Sequence, residues 1–105
     1  LLLRDPLGAE KVIAAEKGNQ KIAVEIKSFI KPSPVQDMHE AVGKHEMYSL
    51  ALDLREPDRE LYLAIPKRAY DNFFQRPFIK EIVKRKGIKL LVYRIDKTEI
   101  SEWIK

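Results

Sequence analysis

The chain has 105 residues, of which 45% are hydrophobic and 34% charged, and its formal net charge is +4. This length fits one domain, the composition predicts a packed core rather than disorder, and the mild basic excess permits contact with nucleic acid without requiring it. The sequence has no cysteine and two histidines. Disulfides, zinc–thiolate sites and histidine-rich metal sites are therefore excluded, and any metal would be held by carboxylates.

No apolar run approaches the ~18–20 residues that cross a bilayer, so we expect a cytoplasmic protein without membrane contact. The sequence begins at Leu1, and its first residues read as a strand fragment followed by a turn at Pro6. We therefore expect residues 1–105 to form a single domain that lacks an N-terminal helix and part of its first strand.

The first complete element is a predicted β-hairpin. Residues 10–17 and 20–29 are rich in strand-forming residues, and they flank Gly18 and Asn19. This dipeptide accepts the positive φ angles of a two-residue turn. A hairpin with its turn at residues 18 and 19 follows from this pattern.

Two opposite charges share one face of the second predicted strand. Glu25 and Lys27 are two residues apart, so their side chains point to the same side. The turn pairs Val12 with Glu25 and Glu10 with Lys27, which brings Glu10 to that face. Carboxylates bind Mg²⁺, and a lysine can orient water or stabilise charge on phosphate. The pattern fits metal-dependent phosphodiester cleavage. In most strands, however, such a pattern forms an exposed cross-strand salt bridge that contributes ~0–1 kcal/mol to stability.

A long amphipathic helix is predicted next. Ser33, Pro34 and Gln36 have the form of a capping box, with serine as N-cap and proline at the first helical position. Apolar residues then recur at three- and four-residue intervals to about Leu54. His45 falls on this stripe, which favours a buried, hydrogen-bonded histidine over a catalytic base.

The remaining sequence alternates between strand and helix patterns. These are a buried strand at 61–65, helical segments at about 67–75 and 78–86 that end at Gly87, a strand at 88–95 and a short strand at 100–104. The order predicts an α/β fold in which helices flank a mixed central sheet.

Residues 8–29 resemble the signature of the XisH family over about 22 consecutive residues. The resemblance rests on Gly8-Ala9-Glu10-Lys11, Ala14-Ala15-Glu16-Lys17 and Lys21-Ile22-Ala23-Val24-Glu25-Ile26-Lys27-Ser28-Phe29. It implies a restriction-endonuclease-like fold of the PD-(D/E)XK superfamily, with E-x-K on the hairpin. It also implies an fdxN element excision controlling factor of programmed DNA rearrangement in cyanobacteria. DNA and a small XisI-type protein are the implied partners, and a homo-oligomer is left open.

The resemblance also implies a catalytic set. Glu25 and Lys27 would act with a first acid supplied by Asp5 or Glu10, and Asp5, Glu10 and Glu25 would hold Mg²⁺ or Mn²⁺. Relatives carry the first acid where this chain has Pro6. Since a shift of one residue turns a strand side chain to the other face, Asp5 joins the site only if the chain bends sharply at this proline. The alternative is that the first acid lies in residues that precede Leu1.

Lys44 and Tyr48 match positions that support the catalytic residues in relatives, although relatives tend to carry glutamine where this chain has Lys44. Lys84, Arg85 and Lys86 form a basic cluster that can contact DNA phosphates or simply end a solvated helix. Two hypotheses of different classes stay open. One is a metal-dependent endonuclease, and the other is a non-catalytic interaction module that keeps the nuclease scaffold and works through the XisI-type partner.

Overall fold

The computed structural model describes residues 2–4, 12–94 and 99–104. The strands are β1 (Leu2–Arg4), β2 (Val12–Lys17), β3 (Gln20–Ile26), β4 (Glu60–Pro66), β5 (Lys89–Arg94) and β6 (Glu99–Ile104). The helices are α1 (Pro34–Arg55), α2 (Lys67–Asp71), a 3₁₀ turn (Phe73–Gln75) and α3 (Pro77–Arg85).

In the described part of the chain, all six strands form one mixed sheet in the order β1-β2-β3-β4-β5-β6. The central strands β3, β4 and β5 run parallel, while β1, β2 and β6 pair antiparallel with their neighbours. Parallel neighbours need crossover connections, which α1 supplies between β3 and β4 and which α2 and α3 supply between β4 and β5. The predicted mixed α/β architecture is confirmed.

The predicted hairpin forms with the expected register. Gly18 has a φ angle of 61° in the turn, and Val12 pairs with Glu25. The second strand ends at Ile26 rather than at residue 29. The reason is Phe29, whose φ angle of 54° turns the chain out of the extended conformation.

The helix boundaries follow the predicted signals closely. Ser33 caps α1 by accepting a hydrogen bond from the backbone N–H of Gln36 at 3.2 Å, and Gly87 follows α3 with a φ angle of 61°. The segment predicted as helical at 67–75 is interrupted at Asn72, after which one 3₁₀ turn follows. None of the helices in the described ranges is long and apolar enough to cross a membrane.

The helices pack on one face of the sheet. Alternate strand residues, such as Leu63, Ile65 and Leu90, join a core cluster with residues of α1, α2 and α3. The other face carries a cluster in which, among the described residues, every member comes from a strand. Within the described ranges the helices thus flank one face, and α1 covers that face above β3 and β4.

Arg59 links the hairpin to the end of α1. Its Nη1 donates to the backbone oxygens of Ala15 and Ile22 at 3.1 and 2.9 Å. Its Nη2 donates to the carboxylates of Glu16 at 2.8 Å and Glu56 at 3.2 Å. The guanidinium is almost fully buried, so these four acceptors replace the water it would otherwise bind.

Candidate functional site

The candidate site lies where β3 ends beneath α1. Glu25 is 2% exposed, and its neighbours in the sheet are Val12 and Leu63. Lys27 follows the last residue of β3, and its backbone N–H still donates to the carbonyl of Ala64 at 3.0 Å. Both charged side chains contact α1. The carboxylate and the ammonium are therefore enclosed between the sheet and the helix.

A sharp turn directs the chain from Lys27 to α1. Phe29 adopts a positive φ angle, which is rare for a bulky residue. Its ring is held in the core by Phe73 and Phe74, at centroid distances of 5.9 and 5.2 Å. Arg68 donates to the carbonyls of Ser28 and Phe29 at 2.8 and 3.1 Å. Aromatic packing and these two hydrogen bonds therefore hold the turn that follows Lys27.

Lys27 lies in a network of acids supplied by α1. Its Nζ donates to Oε2 of Glu40 at 2.7 Å and lies 3.6 Å from Oδ1 of Asp37. Nζ of Lys31 donates to Oε1 and Oε2 of the same Glu40 at 2.9 and 3.2 Å. A buried ammonium requires such compensation, because its desolvation is costly.

The network shifts the pKa of two of its members. Burial acts to lower the pKa of Lys27, but the hydrogen bond to Glu40 and the charges of Glu40 and Asp37 outweigh it and raise the pKa. Hydrogen bonds from Lys27 and Lys31 lower the pKa of Glu40 to about 2. Both groups are therefore charged at neutral pH.

Glu25 has a partner on one oxygen only. Its Oε1 lies 3.3 Å from Nδ1 of His45, which projects from α1. Oε2 of Glu25 and Oδ2 of Asp37 are buried and have no hydrogen-bond partner among the described residues. An unsatisfied buried polar atom costs about 1–3 kcal/mol. Each of these two oxygens could therefore accept a hydrogen bond or bind a cation.

The chemistry of these oxygens fits a divalent metal. Mg²⁺ is bound through oxygen, commonly by one or two carboxylates together with water. Oε2 of Glu25 and Oδ2 of Asp37 are carboxylate oxygens that no described residue contacts by a hydrogen bond. No group of three or more metal-ligating side chains occurs in the described ranges. Asp5 and Glu10, the two candidates for the first acid, lie outside these ranges.

The Glu40 bridge predicts acid-sensitive stability. Because folding lowers the pKa of Glu40 from 4.5 to about 2, its ion pairs stabilise the fold fully above about pH 4.5, and this stabilisation is lost as the pH falls towards 2. In chemical denaturation across this range, Glu40→Gln is expected to reduce the pH dependence of the unfolding free energy. Glu81→Gln, which removes an exposed ion pair with Arg85, should keep the wild-type dependence. Equal slopes for wild type and Glu40→Gln would contradict the assignment.

Two further predicted site residues, Lys44 and Tyr48, lie on α1. Lys44 is exposed on α1, and Tyr48 packs against a core cluster that includes Val12 and Leu52. The structure therefore places both on α1 without a described contact to Glu25 or Lys27.

The basic cluster lies at the other end of the sheet. Lys84, Arg85 and Lys86 precede the amino end of β5, whereas Lys27 follows the carboxyl end of β3, which runs in the same direction. All three basic residues are exposed. A DNA contact there would be separate from the Glu25 and Lys27 site.

α1 supplies three residues of the site, Asp37, Glu40 and His45, and the prediction of a buried, hydrogen-bonded His45 is confirmed. Asp37 and His45 lie two helical turns apart on the buried side of α1, with Ala41 between them. The four-residue spacing of Asp37, Ala41 and His45, which places them on one side of the helix, was the available signal for Asp37. Glu40 carried no such signal, because it lies beside the apolar stripe and is half-buried.

The chain resembles known proteins over nearly its whole length. The family described as XisH protein matches residues 3–101. The crystal structure of an XisH family protein from Nostoc punctiforme PCC 73102 is similar with a TM-score of 0.89 and 40% identity, covering 99% of this chain and 83% of that chain. That of an fdxN element excision controlling factor protein from Anabaena variabilis has a TM-score of 0.91 and 45% identity, covering 98% and 86%. No curated protein matches. The chain therefore belongs to the XisH family.

Proposed function

We propose that this protein is an fdxN element excision controlling factor, a nuclease-like protein of programmed DNA rearrangement that cleaves phosphodiester bonds with a divalent metal. The observation that carries the proposal is that Glu25 and the charged Lys27 lie two residues apart at the carboxyl end of β3, and that the buried Oε2 of Glu25 has no hydrogen-bond partner in the described ranges. The similarity to the Anabaena variabilis protein supports the role in excision. In the PD-(D/E)XK interpretation of the fold, these residues are the E-x-K pair.

Each residue then has a defined task. Glu25 would hold Mg²⁺ or Mn²⁺ through Oε2, together with Asp5 or Glu10 as the first acid. When bound, the metal supplies Lewis-acid stabilisation of the phosphate and lowers the pKa of a water molecule. Lys27 orients that water or stabilises the charge that develops on the phosphate. His45 holds the second oxygen of Glu25 and thereby fixes the orientation of the carboxylate.

Calorimetric titration with Mn²⁺ tests the metal site directly. Wild type is expected to bind Mn²⁺, and Glu25→Gln should weaken binding by about tenfold or more, because a neutral amide replaces a carboxylate of the same size. Glu81→Gln provides a matched loss of one charge on α3 and should leave binding unchanged. In cleavage assays with single- and double-stranded DNA, wild type and Glu81→Gln should be equally active, and Glu25→Gln should be less active. Metal binding that Glu25→Gln leaves unaltered would remove the enzyme proposal.

A non-catalytic interaction module is the second candidate. Lys27 is already engaged by Glu40 and Asp37, and Glu25 is engaged by His45, so both motif residues have structural partners within the chain. These contacts within the chain favour a retained scaffold that acts by binding a small XisI-type protein. Co-purification with such a protein, without DNA cleavage at any Mn²⁺ concentration, would establish this function instead.

A further inference from the structure

Two lysines converge on a single carboxylate oxygen. Oε2 of Glu40 accepts hydrogen bonds from Lys27 at 2.7 Å and from Lys31 at 3.2 Å. Lys31 also reaches Oε1 at 2.9 Å. Two ammonium groups therefore stabilise the negative charge of this one carboxylate. The low pKa of Glu40 is the electrostatic consequence.

The two acids beside Lys27 differ in how firmly they are held. The Asp37 side chain is 1% exposed and cannot leave without opening the core. The Glu40 side chain is 29% exposed, and its second partner, Lys31, is 54% exposed. Asp37 therefore compensates the charge of Lys27 permanently, whereas Glu40 can rotate into solvent. Its departure would leave two ammonium groups and one carboxylate, with a net charge of +1.

We propose that Lys27 and Lys31 form a binding site for a phosphate oxyanion, and that the Glu40 carboxylate holds this site until a nucleic-acid phosphodiester replaces it. Phosphate oxygens accept charge-assisted hydrogen bonds from ammonium groups as a carboxylate does. The inference deepens the proposed function, since it identifies the group that contacts the substrate backbone. It requires only anion binding, so it stands or falls separately from metal-dependent cleavage.

The basic cluster at the end of α3 lacks this arrangement. Arg85 pairs with Glu81, and Lys86 pairs with Glu46. Arg85 and Lys86 thus each have a separate carboxylate, and both pairs lie on exposed surface, where ion pairs contribute little. The shared carboxylate distinguishes the Lys27 and Lys31 site from an ordinary solvated charge cluster.

Removal of the Glu40 charge tests the proposal. By fluorescence anisotropy at low salt, Glu40→Gln is expected to bind a labelled DNA duplex about tenfold more tightly than wild type, since the competing anion is gone. Glu81→Gln changes the net charge equally and should alter affinity less than about twofold. Adding Lys31→Met to Glu40→Gln should abolish the gain. Equal gains for Glu40→Gln and Glu81→Gln, or a gain that survives Lys31→Met, would overturn the proposal.

Inorganic phosphate separates the two sources of the ligand. If Glu40→Gln binds phosphate more tightly but DNA no better, the oxyanion site is real and its assignment to nucleic acid is wrong. A second outcome is that the protein neither binds metal nor cleaves DNA, while Glu40→Gln still tightens DNA binding and Lys31→Met still abolishes that effect. The cleavage proposal then fails and the anion site stands.

Wild-type protein provides a measurement that needs no variant. In a phosphate titration followed by NMR, side-chain ammonium or neighbouring amide signals of Lys27 and Lys31 should shift with saturation. The signals of Lys84, Arg85 and Lys86 should shift weakly and without saturation. The reverse pattern would overturn the assignment even if Glu40→Gln does not fold.

Discussion

Replacement of Arg59 with methionine is expected to lower the free energy of unfolding by about 3–5 kcal/mol. The guanidinium donates to two backbone carbonyls and two carboxylates in a nearly water-free position. Methionine has a similar length but no donor, so the carbonyls of Ala15 and Ile22 would stay buried without this partner. Such losses are larger than the value of the hydrogen bonds themselves.

Arg85→Met is the matched control for Arg59→Met. Arg85 makes one exposed ion pair with Glu81 on α3, and its loss should cost less than about 1 kcal/mol. Guanidinium denaturation of both variants gives the comparison, with the midpoint and slope fitted separately. Similar losses for the two substitutions would show that Arg59 does not connect the hairpin and α1 as described.

Phe29→Ala is expected to destabilise the protein by about 3–5 kcal/mol, as large-to-small substitutions of core aromatic residues do. The ring contacts Phe73 and Phe74 and is 4% exposed. The backbone adds a second effect, because φ at this position is 54°. Alanine would keep that strain while losing the packing.

The comparison with Phe29→Gly separates packing from strain. In ordinary helices and strands, glycine is less stable than alanine by roughly 0.5–1 kcal/mol. At a left-handed position the order should reverse, with Phe29→Gly more stable than Phe29→Ala by about 1 kcal/mol. Thermal denaturation of the two variants measures this difference. If alanine is the more stable residue, the turn after Lys27 does not have the left-handed geometry.

Features with local causes could be predicted from the sequence. The turn at Gly18 determined the hairpin register, because a two-residue loop leaves one pairing. Ser33 and Pro34 located the start of α1 through capping chemistry. The buried strand β4 was recognisable from its apolar run. Each depends on residues that are neighbours in the sequence.

The rest of the site depends on tertiary contacts that local patterns do not report. Glu40 forms an ion pair with Lys27 because the turn at Phe29 determines where α1 begins above the sheet. No glycine marks that turn in the sequence, and Arg68, which stabilises it, lies on α2. Asp37 lies in the first turn of α1, where acids are common because they favour the helix dipole. Its burial follows only from the angle at which α1 packs on β3.

The described part of the site comes from one continuous segment, residues 25–45. Glu25 and His45 are 20 positions apart, and Lys27 and Glu40 are 13 apart. The bonds from Arg59 to Ala15 and Ile22 span 44 and 37 positions. The entropic cost of closing a loop increases with its length, so the contacts of Arg59 cost more chain entropy than those of the site. The site contacts join residues that are closer in sequence and therefore have a lower contact order. A weakened Arg59 would therefore loosen the hairpin before it separates the strand and helix that form the site.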